Sequence, residues 1–480
     1  MNPKTEKSIQ NLLLYAVSLA LIVYVALRAD LLSFTHDESL TYTILLGNPH
    51  WVHTTNNHLL NTFLMNLFYH LFGDGEFVLR LPNVLAFGFY LWGSISILKK
   101  LNNLWVSLLA MALLWFNPFV LDFFSLARGY GLSLGMLMMS LSFLLNISLA
   151  QPETKTFLRS FFFVFLFGGL AVTANLGVIN YLLIIIAIYL VRGFLLLRSG
   201  KMASSKQKRG YFSILLFALA ILFFCVRWIW LLRASHQFYF GAQSFNGTLF
   251  GLITGSYYFA QLPSWVYPSI KYLLLFFLFS GIFLIVARRA YLSRLSMIAV
   301  VNLLMILGLF LEHVLFHSNY PPGRTALYFV PLMGLFICCL FADLFVRFPS
   351  VKVIWIIFSL LMVLPLSWHL LDSLNLKYTR NWRYDAATKA AMMRVKKETR
   401  NDPNRATISN NWLFEPAINY YMHSRHIQID SANRSGVHFD TRFIYKFNSD
   451  SCPQHYQVLE AYRDVNTVLL MESDTVSNSN

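Results

Sequence analysis

The stretch 10-QNLLLYAVSLALIVYVALR-28 runs nineteen residues and carries one charge, at its last position. About 20 apolar residues are what a helix needs to cross a bilayer core. Ten further stretches of the same character follow, at about 77–98, 103–120, 127–149, 157–176, 178–197, 211–232, 268–287, 294–315, 324–346 and 352–371. The composition agrees. Of 480 residues 57% are hydrophobic and 12% charged, against roughly 25% charged in soluble domains. The mean hydropathy is +0.54. The sequence therefore predicts an α-helical polytopic membrane protein of about 11 transmembrane helices.

The net charge of +16 raises the question of nucleic acid, and the distribution answers it. With the N-terminus inside, the cytoplasmic segments hold 17 basic residues, from Lys4 and Lys7 to Arg347 and Lys352. The opposite face of the membrane part holds 7: Arg28, Arg80, Arg128, Arg227, Arg233, Lys271 and Arg324. This is the positive-inside pattern of a membrane protein, so no nucleic-acid partner is expected. The acids lean the other way: Asp30, Asp37, Glu38, Asp74, Glu76, Asp122 and Glu312 fall on the outer side. The four cysteines form no disulfide framework and no zinc spacing.

The elaborated face is the outer one. Its first loop, 29–76, carries 59-LLNTFLMNLFYHLF-72, helical in pattern but short for a span. It reads as a helix lying on the membrane surface, with a pair of re-entrant segments as the runner-up. From residue 372 charge rises and apolar runs shorten. Segments 385–400 and 415–425 read as helices, and 406–409, 426–429 and 467–471 as strands. The domain plan is thus 1–371 in the membrane and 372–480 as a small extracytoplasmic α/β domain, with 473–480 disordered. An odd number of spans puts that domain opposite the N-terminus.

Beyond the first span stands Asp37-Glu38. Adjacent carboxylates repel each other and cost desolvation where water is thin. Two solvated loop acids are the bland reading. The functional reading is a general base, with the neighbour holding a metal or a sugar hydroxyl. Asp122, beside Asn117-Pro118 in a short outer connection, is either a helix-end residue or a second acid of the same site. Five of the thirteen histidines fall in the first loop. Histidines with carboxylates are a candidate divalent-metal set, though their spacing matches no tight motif. His58, within 56-NNHLLN-61 with Asn57, is the favoured member. Arg80, Arg128 and Arg324 each stand at the outer end of a span. Snorkelling explains a single such arginine. Three of them, two in the contexts Arg128-Gly129-Tyr130 and Pro322-Gly323-Arg324, point to phosphate, which arginine holds bidentately. A lipid phosphate is the natural ligand at a membrane boundary.

Four blocks carry a family resemblance. 35-THDESLTY-42 resembles the Asp-Glu motif in the first outer loop of GT-C superfamily membrane glycosyltransferases, and more narrowly the protein mannosyltransferase / aminoarabinose transferase group. 75-GEFVLRLPNVL-85, 126-LARGYGLSL-134 and 321-PPGRTALYFVPL-332 are similar to later blocks of that group, in the same order. The resemblance implies a polyprenyl-phosphate-linked sugar donor and inverting transfer at the outer face. The acceptor would be a lipid, glycan or protein. It maps the catalytic acid onto Asp37, with Glu38 and Asp122 as further acidic positions. Donor-phosphate contacts map onto Arg128 and Arg324. It implies a bacterial inner membrane, with the C-terminal domain periplasmic. Relatives carry a proline-containing element in the first loop where this chain has 57-NHLLN-61, which puts the metal site and the local loop shape in question. No Gly-rich nucleotide loop is present, so no nucleotide cofactor is expected.

Two rival classes stand beside this reading. A secondary transporter would want ionisable groups or broken helices at mid-membrane, where Arg227 and Glu312 are the deepest candidates. A non-catalytic membrane protein of cell-envelope glycan assembly would retain the same acids without turnover.

Overall fold

The computed structural model describes residues 2–147, 153–237, 240–261, 263–448 and 455–473. The chain divides into two compact units. The first comprises Met1–Val25, His58–Asn61 and Pro82–Leu374; the second comprises Ala26–Asn57, Thr62–Leu81 and Asn375–Asn480. The division departs from the domain plan read from the sequence. The C-terminal segment does not stand by itself, because most of the first loop belongs to the same unit.

Among the described residues, ten helices are long and apolar enough to span a membrane, and one further pair passes the same test together. Every expected span has its helix. The third is broken: Leu104–Trp115 and Pro118–Phe124 meet at 63°. The cause is local. A π-helical turn over Met111–Trp115 ends the first half. The Asn117 side chain then accepts from the backbone N–H of Phe119 and Val120 at 3.0 and 3.3 Å, with Pro118 at the first helical position. A π-bulge followed by an N-cap and proline re-aims a chain without orphaning its donors. Asp122 consequently lies on the second half-helix, 2% exposed, and not in an open connection.

Helix Gly129–Asn146 is the buried centre of the first unit, with 89% of its apolar window inside the protein. Small residues on it let neighbours approach closely. A side chain at Gly131 would meet the Phe123 carbonyl oxygen at 2.3 Å. Helices Ser205–Ala234 and Val266–Ala287 have only 11% and 17% of their windows buried. Apolar surface of that extent needs lipid around it.

In the second unit four strands form a sheet of order β1-β2-β4-β3: β1 Ile408–Asn410, β2 Phe443–Phe447, β3 Tyr456–Tyr462 and β4 Thr467–Glu472. β1 pairs with β2 in parallel, and the other pairs are antiparallel. Ile444, Tyr456, Val468 and Leu470 form one core cluster on the sheet. Helices Thr388–Glu398 and Glu415–Ser424 fall where the sequence placed them. The expected strand at 426–429 is reduced to a single bridge from Ile429 to Ala406. β2 and β3 had no counterpart in the sequence reading. The expected disorder at the C-terminus lies, from 474 on, outside the described residues.

Helix Leu59–Phe72 also forms, fourteen residues long. Phe63, Leu67 and Leu71 make an exposed apolar row along it. That spacing suits a helix lying flat on a lipid surface.

Candidate active site

In the second unit, the Asp37-Glu38 pair sits in the first turn of helix His36–Leu45. That turn is a capping box. The backbone N–H and the hydroxyl of Thr35 both donate to Glu38 Oε2, at 2.9 Å each. Arg80 closes on the same carboxylate through Nε to Oε1 at 2.8 Å and Nη2 to Oε2 at 2.7 Å. Both side chains are fully buried. The remaining Arg80 donors reach the carbonyls of Ala29, Leu32 and Ser33 at 2.8–3.1 Å. All five N–H groups of the guanidinium are thereby engaged. This corrects two expectations. Arg80 has no fork left for a donor phosphate, and Glu38 has no open oxygen for a metal or a sugar. Together they anchor the turn that carries Asp37.

Asp37 itself is half-buried. The neighbouring carboxylates are thus divided by their surroundings, one locked inside and one reaching the surface. Asn57 also turns out to tie the loop. Its Nδ2 donates to the Val52 carbonyl, and its Oδ1 accepts from the Thr62 hydroxyl, both at 2.7 Å. That leaves it less suited to substrate than the sequence suggested.

The sequence reading missed Asp385. Its carboxyl is fully buried, and Oδ2 accepts the backbone N–H of His36 at 2.8 Å. His36 is the first residue of the Asp37 helix, whose opening N–H groups have no partner within the helix. Burial pushes the Asp385 carboxyl well above the usual range; the His36 N–H opposes this, and the charges of Asp37 and Glu38 add to it. The His36 ring meets the Leu413 carbonyl through Nδ1 at 2.7 Å, and burial lowers its pKa. Tyr421 Oη accepts the Phe34 N–H at 2.7 Å, and Tyr420 stacks on Phe34 at 4.0 Å. Glu76 is paired by Lys389 and Arg425. No local pattern marks Asp385; its one signal is an acid three residues before Thr388, at a helix start.

In the first unit, three of the expected residues come together. Arg128 Nη2 approaches His58 Nε2 at 3.2 Å, and the Tyr130 ring lies 4.7 Å from the imidazole. The backbone there is close-packed. A side chain at Gly129 would fall 2.1 Å from the Ala174 carbonyl oxygen and 2.6 Å from His58 Cβ, so only glycine fits. Asn61 and Asn83 fix the register. Asn61 donates to the Ala127 carbonyl and accepts from Asn83, which in turn accepts the Leu132 N–H.

Burial, together with the Arg128 charge, holds His58 well below its usual pKa, and Arg324 adds to the effect. His58 is therefore neutral, with a hydrogen bond to the Ala174 backbone on one side and a guanidinium on the other. That pairing does not fit a divalent cation. Among the described residues no group of three or more His, Cys, Asp or Glu is placed to hold a metal. Asp122 accepts from the Tyr258 hydroxyl at 2.9 Å. Arg324 lies in the short 3₁₀ turn Gly323–Ala326 after the two prolines, partly exposed.

ArnT from Cupriavidus metallidurans bound to undecaprenyl phosphate superposes with a TM-score of 0.53 over 96% of this chain and 97% of its own, at 13% identity. The chain has the GT-C fold. The apo state of the same ArnT gives 0.49 at 12% identity, over 96% and 97%. The apo oligosaccharyltransferase of Archaeoglobus fulgidus gives 0.45 at 13% identity, over 87% of this chain and 64% of its own. No family model matches the chain, and no curated protein matches it in sequence. The GT-C resemblance read from four short blocks thus holds at the level of fold, where sequence similarity is faint.

Proposed function

We propose that this GT-C chain is a membrane glycosyltransferase. It moves a sugar from a polyprenyl-phosphate-linked donor to an acceptor at the outer face, with inversion. The observation that carries the reading is the pair in helix His36–Leu45: Glu38 locked by Arg80, Asp37 left reaching the surface. Only a carboxylate within reach of an acceptor can act as base. The ArnT of the same fold is seen with undecaprenyl phosphate, which supports a lipid-phosphate carrier here.

In the proposed step, Asp37 takes the proton from an acceptor hydroxyl or amine. The acceptor atom forms a bond to the anomeric carbon, and the bond from that carbon to the phosphate oxygen breaks. Polyprenyl phosphate leaves with the electron pair. Arg128 and Arg324 supply the positive charge that stabilises it, because fixed cations favour charge developing in the transition state. The activated ester makes a nucleotide unnecessary. Asp122, held by Tyr258, is the second acidic position of the proposal.

The test is transfer from radiolabelled polyprenyl-phosphate sugars by the purified protein, supplied with an acceptor-rich membrane extract. Asp37→Asn should lower turnover by about 10²–10⁴-fold, the usual worth of a general base, with unchanged yield and melting temperature. Full turnover in the variant removes Asp37 from the role. Donor that crosses vesicles unconsumed identifies a transporter instead.

A further inference from the structure

Away from these groups, the first unit has a half-open cavity of about 500 Å³. It lies where helices Glu76–Leu101, Gly129–Asn146 and Phe329–Arg347 finish and Arg294–Phe316 begins. Its floor is apolar and buried, with Leu144, Leu145, Met297 and Cys339. Its rim carries two cations, Lys100 and Arg294. Each has a neutral partner: Lys100 Nζ donates to the Asn146 carbonyl at 3.4 Å, and Arg294 Nε to the Leu145 carbonyl at 3.1 Å. Among the described residues the one acid lining the cavity is Asp343, and Arg347 pairs with it one turn along. Two positive charges on the rim therefore lack a counter-charge.

Anionic ligands follow from that imbalance. Among the described residues Arg294 bonds through Nε, so its two terminal nitrogens can fork onto a phosphate. It also opens its helix, where the dipole favours an anion. The apolar part of the lining selects among anions. Leu292 and Val346 are 46% and 80% exposed beside the cations. A free phosphate would leave that surface in water, whereas an amphiphile covers it. Basic pockets between helix ends are a recurrent place for anionic headgroups.

We infer that this cavity binds the phosphodiester headgroup of an anionic membrane phospholipid, with Lys100 and Arg294 on the phosphate and Leu292 and Val346 along its acyl chains. The inference is independent of the glycosyltransferase reading. The site sits at the end of the bundle that the charge pattern assigns to the cytoplasm.

The test is native mass spectrometry of the protein purified in neutral detergent, titrated with phosphatidylglycerol, phosphatidylcholine and inorganic phosphate. Phosphatidylglycerol should bind and phosphatidylcholine should not compete. Lys100→Gln with Arg294→Gln should weaken phosphatidylglycerol about 30-fold, from the usual worth of two interfacial cations. Lys206→Gln with Lys208→Gln, basic residues absent from the cavity lining, should leave binding unchanged. If the first pair does not yield folded protein, Lys100→Gln alone should cost about 5-fold. Equal binding of phosphatidylcholine, displacement by equimolar inorganic phosphate, or an equal loss in the Lys206/Lys208 variant would overturn the assignment. The last outcome would mean diffuse surface charge.

Discussion

At the scale of single residues, the protein treats two neighbouring carboxylates in opposite ways. Glu38 is neutralised by a bidentate guanidinium in a dry interior, and breaking such a pair leaves a buried charge uncompensated. Asp37 keeps contact with the surface. Asp385 adds a third carboxyl, buried without a cation among its hydrogen-bond partners. Its raised pKa means the folded protein holds a proton that the unfolded chain releases at an ordinary value near 3.8. The native state then binds more protons, and stability falls as pH rises from about 4 through the folded value. Asp385→Asn keeps an acceptor for the His36 N–H and cannot ionise. Its melting temperature relative to wild type should therefore climb as pH is raised from 4 to 8. A constant difference across that range would show Asp385 to be ordinarily ionised. His58 and His36 act in the other direction. Burial lowers both pKa values in the fold, so their contribution is full above about 6.5 and is lost as pH falls from there through the folded values.

At the scale of elements, helix His36–Leu45 is ten residues long and too short to be stable alone. It is held by its own capping box and by two groups from the C-terminal segment, Asp385 and the Leu413 carbonyl, while Tyr421 ties the Phe34 backbone just before it. Tyr421→Phe keeps the ring and removes the acceptor for the buried Phe34 N–H. Leaving that donor unpaired should cost about 1–3 kcal/mol. Hydrogen exchange should therefore speed up in peptides covering 30–42, with exchange in helix Gly129–Asn146 unchanged. Unaltered exchange at 30–42 would show that Tyr421 does not hold the loop. The capping box has a local pattern, Thr35-x-x-Glu38, that the reading of the sequence passed over. The ties to Asp385 and Tyr421 could not be read there, since no local pattern links residues 349 and 387 positions apart.

At the scale of the whole molecule, the positive-inside pattern predicts that the C-terminal segment lies across the membrane from the basic loop at 198–210. Single cysteines test this in a background with Cys452 replaced; Cys225, Cys338 and Cys339 are buried. Asn404→Cys should react with an impermeant maleimide in intact cells, and Ser199→Cys only after permeabilisation. The reverse would invert the orientation and with it the face proposed for transfer.

The sequence by itself determined what depends on local composition. Runs of about 20 apolar residues located the ten long apolar helices and the bent pair found among the described residues, and the charge asymmetry predicts an orientation. Four short blocks pointed to the GT-C fold that the comparison with ArnT bears out. The tertiary structure decided what each of those residues is available to do. Arg80 and Glu38 stand 42 positions apart, and whether they meet depends on the path of the chain between them. Their meeting removes both from the list of open ligands, while Asp37 keeps part of its surface exposed. β2 escaped notice for a physical reason: a strand buried on both faces shows no alternation, and Phe443–Tyr445 is such a run. Composition sets where a segment can live, and long-range pairing sets which of its charges are locked in the interior.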